Sequence, residues 1–202
     1  MRHTNHENSW AGIIFDMDGT LTIPVLDFDA MRREIGLPAD GGDLAVLIEQ
    51  LPPAQAAAAW ETIARHEARA TEQARLQSGA LELLAACRRH GLKLGLLTRN
   101  TQRSVKALCR RFGLRFDTVL TREFPHLKPS PEPVLHICRE WGTAPARVMV
   151  VGDYVHDLES GRAAGAATVF VRNPGATDFS DHADWTVDRL EQLYEGLFPN
   201  PG

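Results

Sequence analysis

Apolar residues follow two rhythms along this chain. In "GIIF", from Gly12 to Phe15, they run with no polar position between them, the pattern of a strand covered on both faces inside a parallel sheet. From about Pro24 to Gln77 the texture turns to Ala, Arg, Glu and Gln, with apolar positions at helical spacing, which predicts an all-helical insert. Its first pieces are "DFDAMRREIGL", ended by Pro38, and "GDLAVLIEQL", ended by Pro52 and Pro53, since proline cannot continue a helix. The third, from Ala54 to Leu76, is rich in Ala, the strongest helix former, and puts Trp60, Ile63, Ala64 and Ala68 on one face.

From Ser78 onward short apolar runs alternate with helical stretches. Helix "GALELLAACRRHG" leads to strand "KLGLLT", helix "TQRSVKALCRRFG" to strand "FDTVL", helix "PEPVLHICREWG" to strand "RVMVVGD", and helix "DLESGRAAGA" to strand "ATVFV". Gly91 and Gly113 fall where helix C-caps are needed. One more strand, "ADWTV", and a helix, "DRLEQLYEGLF", follow. Alternation of this kind means parallel crossovers. The predicted fold is α/β: a Rossmann-like parallel sheet with helices on both faces, plus a small all-helical insert. Residues 1–10 read as an N-terminal tail, 11–23 and 78–202 as the core, and 24–77 as the insert.

With 44% hydrophobic and 24% charged residues over 202 positions, the chain can bury a sizeable core in one domain with an insert. A net charge of −4 gives no support to nonspecific binding of nucleic acid or anionic membranes. The cationic stretches "CRRHGLK" and "CRRFGLR" run from helix ends into loops, where Arg and Lys favour the dipole and solvent. No stretch approaches the roughly 18 apolar residues of a membrane helix, and "MRHTNHENSW" lacks the apolar core of a secretory signal, so a cytoplasmic address is expected. The three cysteines, Cys87, Cys109 and Cys138, lie far apart in predicted helices and read as buried or neutral thiols, not as a disulfide or zinc site. Eight histidines show no HExxH or paired helical spacing, and His3 and His6 fall in the tail, so histidine is not expected to hold a metal.

Candidate chemistry collects at strand ends. Asp16 and Asp18 end the first strand before a Gly19-Thr20 turn, Thr98 ends the second, Asp153 ends "VMVVGD", and Asp157 follows four residues on. Lys128 enters between the second and third of these, in "HLKPSPEP". Each alone has a plain reading as turn, helix cap or surface lysine. Together they reach one sheet edge, and in open parallel sheets ligands bind beyond the carboxyl ends of the strands.

In order and spacing, "FDMDGTLT", the Thr of "LLTRN", the Lys of "LKPSPEP" and "GDYVHDLESGRAAGA" resemble the four motifs of the haloacid dehalogenase-like hydrolases, over about Ala11 to Asn173. The insert stands where subfamily I of that family carries its type-one cap. The resemblance implies that Asp16 is the nucleophile, forming an aspartyl-phosphate. It makes Asp18 the proton donor to the leaving alcohol and then the base for water, with its backbone carbonyl on the metal. Asp16 and Asp153 offer hard oxygens to Mg²⁺, while Thr98, Asn100 and Lys128 are expected around the phosphate. Gly19 and Thr20 make the turn out of the site, and Asp157 orients Lys128 or a metal-bound water.

A phosphate dianion repels a carboxylate by roughly 4 kcal/mol per unit-charge pair at about 4 Å and an effective dielectric near 20, which is why positive charge must be imported. Retention of Asp18 argues for a phosphate ester. The expected activity is a Mg²⁺-dependent phosphatase on a small phosphorylated metabolite, phosphoglycolate-like or a sugar phosphate. A phosphomutase of the β-phosphoglucomutase type and a non-catalytic binding protein are the alternatives. Arg65 and Arg69, four apart on the third insert helix, either meet an anionic leaving group or form a solvated face paired in part with Glu61. No nucleic-acid or membrane partner is expected, and the sequence leaves monomer and dimer equally open.

Overall fold

The computed structural model describes residues 10–39 and 42–199; of the expected tail, His3 and His6 lie outside the described residues. Trp10 does not behave as tail: it packs on the core and meets the Trp185 ring edge-on at 6.1 Å. Among the described residues six strands form one parallel sheet: β1 (Gly12–Phe15), β2 (Lys93–Leu97), β3 (Thr118–Leu120), β4 (Val148–Gly152), β5 (Ala167–Val171) and β6 (Trp185–Val187). Their spatial order is β3-β2-β1-β4-β5-β6. Phe15 is level with Leu96 of β2 on one side and Val151 of β4 on the other. The chain winds outward from β1 to β3, then returns to β4 and winds the other way. Winding therefore reverses at β1 and β4, where a crevice opens beyond the strand ends.

Among the described residues eight α-helices accompany the sheet: α1 (Phe28–Ile35), α2 (Leu44–Glu49), α3 (Pro53–Gln73), α4 (Ala80–Arg89), α5 (Gln102–Phe112), α6 (Glu132–Trp141), α7 (Val155–Ala164) and α8 (Leu190–Leu197). Successive strand residues point to opposite faces. Ile13, Phe15, Leu96 and Val151 accordingly pack with α4, α5 and α8, while Ile14, Val148 and Val150 pack with α6 and α7. Full burial of each such side chain stabilises the fold by about 1.5–3 kcal/mol, which explains why the β1 run carries no polar position. Cys87 and Cys138 are buried in these layers and Cys109 partly so; none forms a disulfide, and burial pushes the Cys87 thiol up to about 12.

Helices α1 to α3 enclose a separate small core of Met31, Leu44, Ile48, Ala59 and Ile63. Two departures from the predicted insert have physical causes. The third helix ends at Gln73, not Leu76, because the returning chain pairs with the outgoing one. Ile23 N–H bonds the Arg75 carbonyl and Gln77 N–H bonds the Leu21 carbonyl, both at 2.9 Å. Its buried stripe is Ala59, Thr62, Ile63, Glu67 and Ala70, whereas Ala64 and Ala68 face solvent. An Ala-rich helix carries little phase information, and the position of its neighbours decided which face closed. No helix among the described residues is long and apolar enough to cross a membrane.

Candidate active site

Asp16 continues β1 by one residue, its N–H bonding the Val151 carbonyl at 2.9 Å. The side chain is buried and meets Lys128, which arrives from the loop before α6: Nζ donates to Asp16 Oδ1 at 2.6 Å, to Asp157 Oδ1 at 2.5 Å and to the Leu97 carbonyl at 3.0 Å. All three ammonium donors are thereby used. Burial works against the Lys128 charge, yet Asp157 and Asp16 outweigh it and hold the ammonium pKa above its usual value. Lys128 is therefore a buried cation inside an ion triad, not the solvated surface residue that a lone lysine suggests.

Asp153 lies beyond β4, where its carboxylate accepts from Thr20 Oγ1 at 3.3 Å and Asn173 Nδ2 at 3.1 Å. Oxygens of Asp16, Asp153 and Asp157 fall within 4.8 Å of one another. Burial pushes Asp16 up to about 7, with Lys128 pulling the other way. Burial and the charges of Asp16 and Asp157 push Asp153 up to about 8. Two glycines permit this crowding. A Cβ on Gly19, which sits at φ 82°, would come within 2.0 Å of Asp153 Oδ2, and one on Gly152 within 2.2 Å of the Asp157 side chain. Asp157 also accepts from the Tyr154 N–H at 3.2 Å, which fixes it at the start of α7.

Asp18 stands at the rim of the same crevice. Burial raises its pKa, opposed by hydrogen bonds from Asn100 Nδ2 and Thr22 Oγ1. The Asn100 amide thus holds Asp18, and Asn100 also lines the cleft above it. Thr98 is buried at the end of β2, its hydroxyl accepting the Asn100 N–H at 3.2 Å.

Above these groups is a cleft of about 710 Å³ lined from both sides, by Met31, Trp60 and Glu67 of the insert and by Asp16, Arg99 and Arg122 of the core. Arg65 and Arg69 do not line it. Arg65 is exposed and bonds Glu34 of α1 at 2.5 Å, and Arg69 is exposed as well. Glu34, rather than Glu61, is the acidic partner of Arg65. Exposed pairs of this kind contribute little, because solvent screens them. Arg65→Ala and Arg69→Ala should therefore keep kcat and KM within about twofold of the parent on both an acidic and a neutral aryl phosphate. A KM rise confined to the acidic substrate would return them to the site.

Several residues at the site carried no sequence signal of their own. Asn173, two residues beyond β5, also donates to the Gly19 carbonyl at 2.8 Å, and Gln77 Nε2 donates to Asn173 Oδ1 at 2.9 Å, tying the end of the insert to the Asp153 loop. Asp43 caps α2 and grips Arg99 through both guanidinium ends at 2.7 and 3.0 Å. Burial alone would raise Asp43, but the Arg99 bonds and charge bring it down to about 2. Glu67 of α3 pairs with Arg122; burial still pushes it up to about 7, against the pull of that arginine. The available hint was position: Arg99, Arg122 and Asn173 each follow a strand end on the same sheet edge.

The model of the haloacid dehalogenase-like hydrolase family matches residues 27–171. A haloacid dehalogenase-like hydrolase domain-containing protein of Arabidopsis thaliana is 36% identical, the match covering 98% of this chain and 87% of that one. The N-acetylmuramic acid 6-phosphate phosphatase of Pseudomonas aeruginosa is 32% identical over 89% of this chain and 94% of its own. A phosphoglycolate phosphatase of Chromobacterium violaceum is 28% identical over 91% and 94%. With the parallel sheet, the helical insert and the aspartates gathered at the strand ends, these matches place the chain in the haloacid dehalogenase-like hydrolase family.

Proposed function

We propose that this hydrolase is a divalent-metal-dependent phosphatase that cleaves a small phosphate monoester through a phosphorylated Asp16. The observation that carries the reading is the convergence of Asp16, Asp153 and Asp157 oxygens within 4.8 Å, backed by the buried Lys128 ammonium. Relatives named for N-acetylmuramic acid 6-phosphate and for phosphoglycolate support the substrate class.

The donor set fits a hard cation: all of its oxygens are carboxylate, they repel one another, and no sulfur or imidazole stands among them. Asp16 and Asp153 would hold Mg²⁺, with the Asp18 carbonyl as the third protein ligand that the resemblance implies. When bound, the ion supplies charge compensation to the phosphoryl oxygens. Lys128 fixes the direction of the Asp16 carboxylate and adds a cation that burial does not discharge. Asp16 attacks phosphorus, and the P–O bond to the leaving group breaks. Asp18, its pKa raised by burial, gives that oxygen its proton. A water then passes a proton to Asp18 and attacks the phosphorus, releasing Asp16 and inorganic phosphate. Thr98, at the end of the neighbouring strand, offers its hydroxyl to a phosphoryl oxygen. The setting we infer is a cytoplasmic enzyme with no nucleic-acid partner, in line with the net charge of −4.

Initial rates of phosphate release from p-nitrophenyl phosphate test the reading. Chelator should silence the enzyme and Mg²⁺ restore it, with Ca²⁺, larger and looser in geometry, far less effective. Full activity in metal-free buffer would overturn the metal requirement, and no phosphate release under any of these ions would overturn the phosphatase.

A further inference from the structure

We propose that the leaving-group end of the cleft is built around Glu67 and Arg122 to take a neutral, hydroxyl-rich group, a sugar or polyol, in preference to one bearing a carboxylate. The proposal rests on the phosphatase reading above and adds the class of leaving group to it.

Glu67 is 4% exposed: Oε1 takes the Arg122 guanidinium, whereas Oε2 has no well-formed hydrogen bond among the described residues, the Thr101 backbone amide being a polar neighbour besides Arg122. Buried carboxylate oxygens are rarely left so. Glu67 also lines the cleft, so a side-chain turn that brings Oε2 out of its present burial would let a ligand hydroxyl supply the missing donor.

The cations that could have met a ligand carboxylate are already committed. Arg122 is held by Glu67, by the Arg99 carbonyl at 2.9 Å and by the Trp60 ring 4.8 Å away. Arg99 spends both guanidinium ends on Asp43 at 2.7 and 3.0 Å. Arg32, also on the cleft wall, donates to the Pro38 and Gly42 carbonyls, and Lys128 to its triad. Along the whole cleft, four Lys and Arg side chains face seven carboxylates. With Asp18 carrying the proton it donates, one divalent ion only neutralises that balance and the bound phosphoryl dianion makes it negative, so a further ligand charge would be repelled. The remaining walls near Glu67, among them Met31, Trp60 and Ile63, are apolar and suit the C–H faces of a ring. A volume of about 710 Å³ is also far more than a two-carbon acid fills.

The test compares kcat/KM on three monoesters with Mg²⁺: a hexose 6-phosphate, phosphoglycolate and p-nitrophenyl phosphate. The parent enzyme should prefer the hexose phosphate to phosphoglycolate by at least about tenfold, the usual worth of a charge-assisted hydrogen bond set against an unpaired anion. In Glu67→Gln, which keeps the shape but halves the acceptor capacity, the ratio of hexose phosphate to aryl phosphate should fall by about tenfold. A parent preference for phosphoglycolate, or a Glu67→Gln ratio equal to the parent's, would overturn the proposal. The parent comparison decides even if the variant fails to fold. Loss of aryl phosphate hydrolysis in the parent would instead strike the phosphatase reading, so the two failures are distinguishable.

Discussion

Asp16→Asn is expected to lower kcat by at least about 10³-fold while the protein stays folded. An amide oxygen cannot form the acyl phosphate, and loss of a nucleophile removes an interaction made only on the reaction path. The fold should tolerate the change because the replaced carboxylate is buried and crowded by Asp153 and Asp157, so that a neutral isostere relieves repulsion. Lys128 keeps Asp157 and the Leu97 carbonyl as partners. Phosphate release and a thermal melt, measured on one preparation, separate the two effects. Turnover above a few per cent of the parent, with contamination excluded, would mean that another group attacks.

Lys128→Met is expected to damage both stability and turnover. It leaves Asp16 and Asp157 buried without their counter-charge, beside Asp153. Removing one partner of a buried ion pair costs about 3–5 kcal/mol, which urea unfolding would read as a lower midpoint at unchanged slope. Turnover should fall by at least about a hundredfold, since both the direction of Asp16 and a cation beside the phosphate are lost. Adding Asp157→Asn to Lys128→Met should recover part of the stability, by removing one stranded charge, and none of the activity. Near-parent stability in Lys128→Met would show that the triad is not the buried electrostatic unit described above.

Strand positions, helix order and the aspartates of the site were legible in the sequence because each is written locally. A continuous apolar run marks a strand covered on both faces, and a polar residue at its end marks the edge where ligands bind. Asp16, Thr98 and Asp153 come from β1, β2 and β4, which the strand order β3-β2-β1-β4-β5-β6 makes neighbours. Lys128 needed the family resemblance, since nothing in "HLKPSPEP" says that its ammonium is buried.

The cleft wall was less legible because it depends on how the insert meets the core. On the Ala-rich α3 the buried face could be read a part-turn away, which drew attention to Arg65 and Arg69 and away from Glu67, two residues from each. A glutamate in such a helix looks like a solvated residue until a partner such as Arg122 approaches from the loop after β3, 55 positions along the chain. The same holds for Asp43, which caps α2 while also gripping Arg99 of the core. Pairings across the two parts have no period or spacing to betray them.

In the proposed reaction the phosphoryl group passes through Asp16. Acyl phosphates are reduced by borohydride to homoserine, so the enzyme can be quenched with borohydride while turning over p-nitrophenyl phosphate in Mg²⁺, digested, and read by mass spectrometry. Homoserine is expected at position 16, dependent on substrate and absent from chelator-treated enzyme. Sustained phosphate release with homoserine at another aspartate, or with residue 16 unmodified throughout, would contradict it.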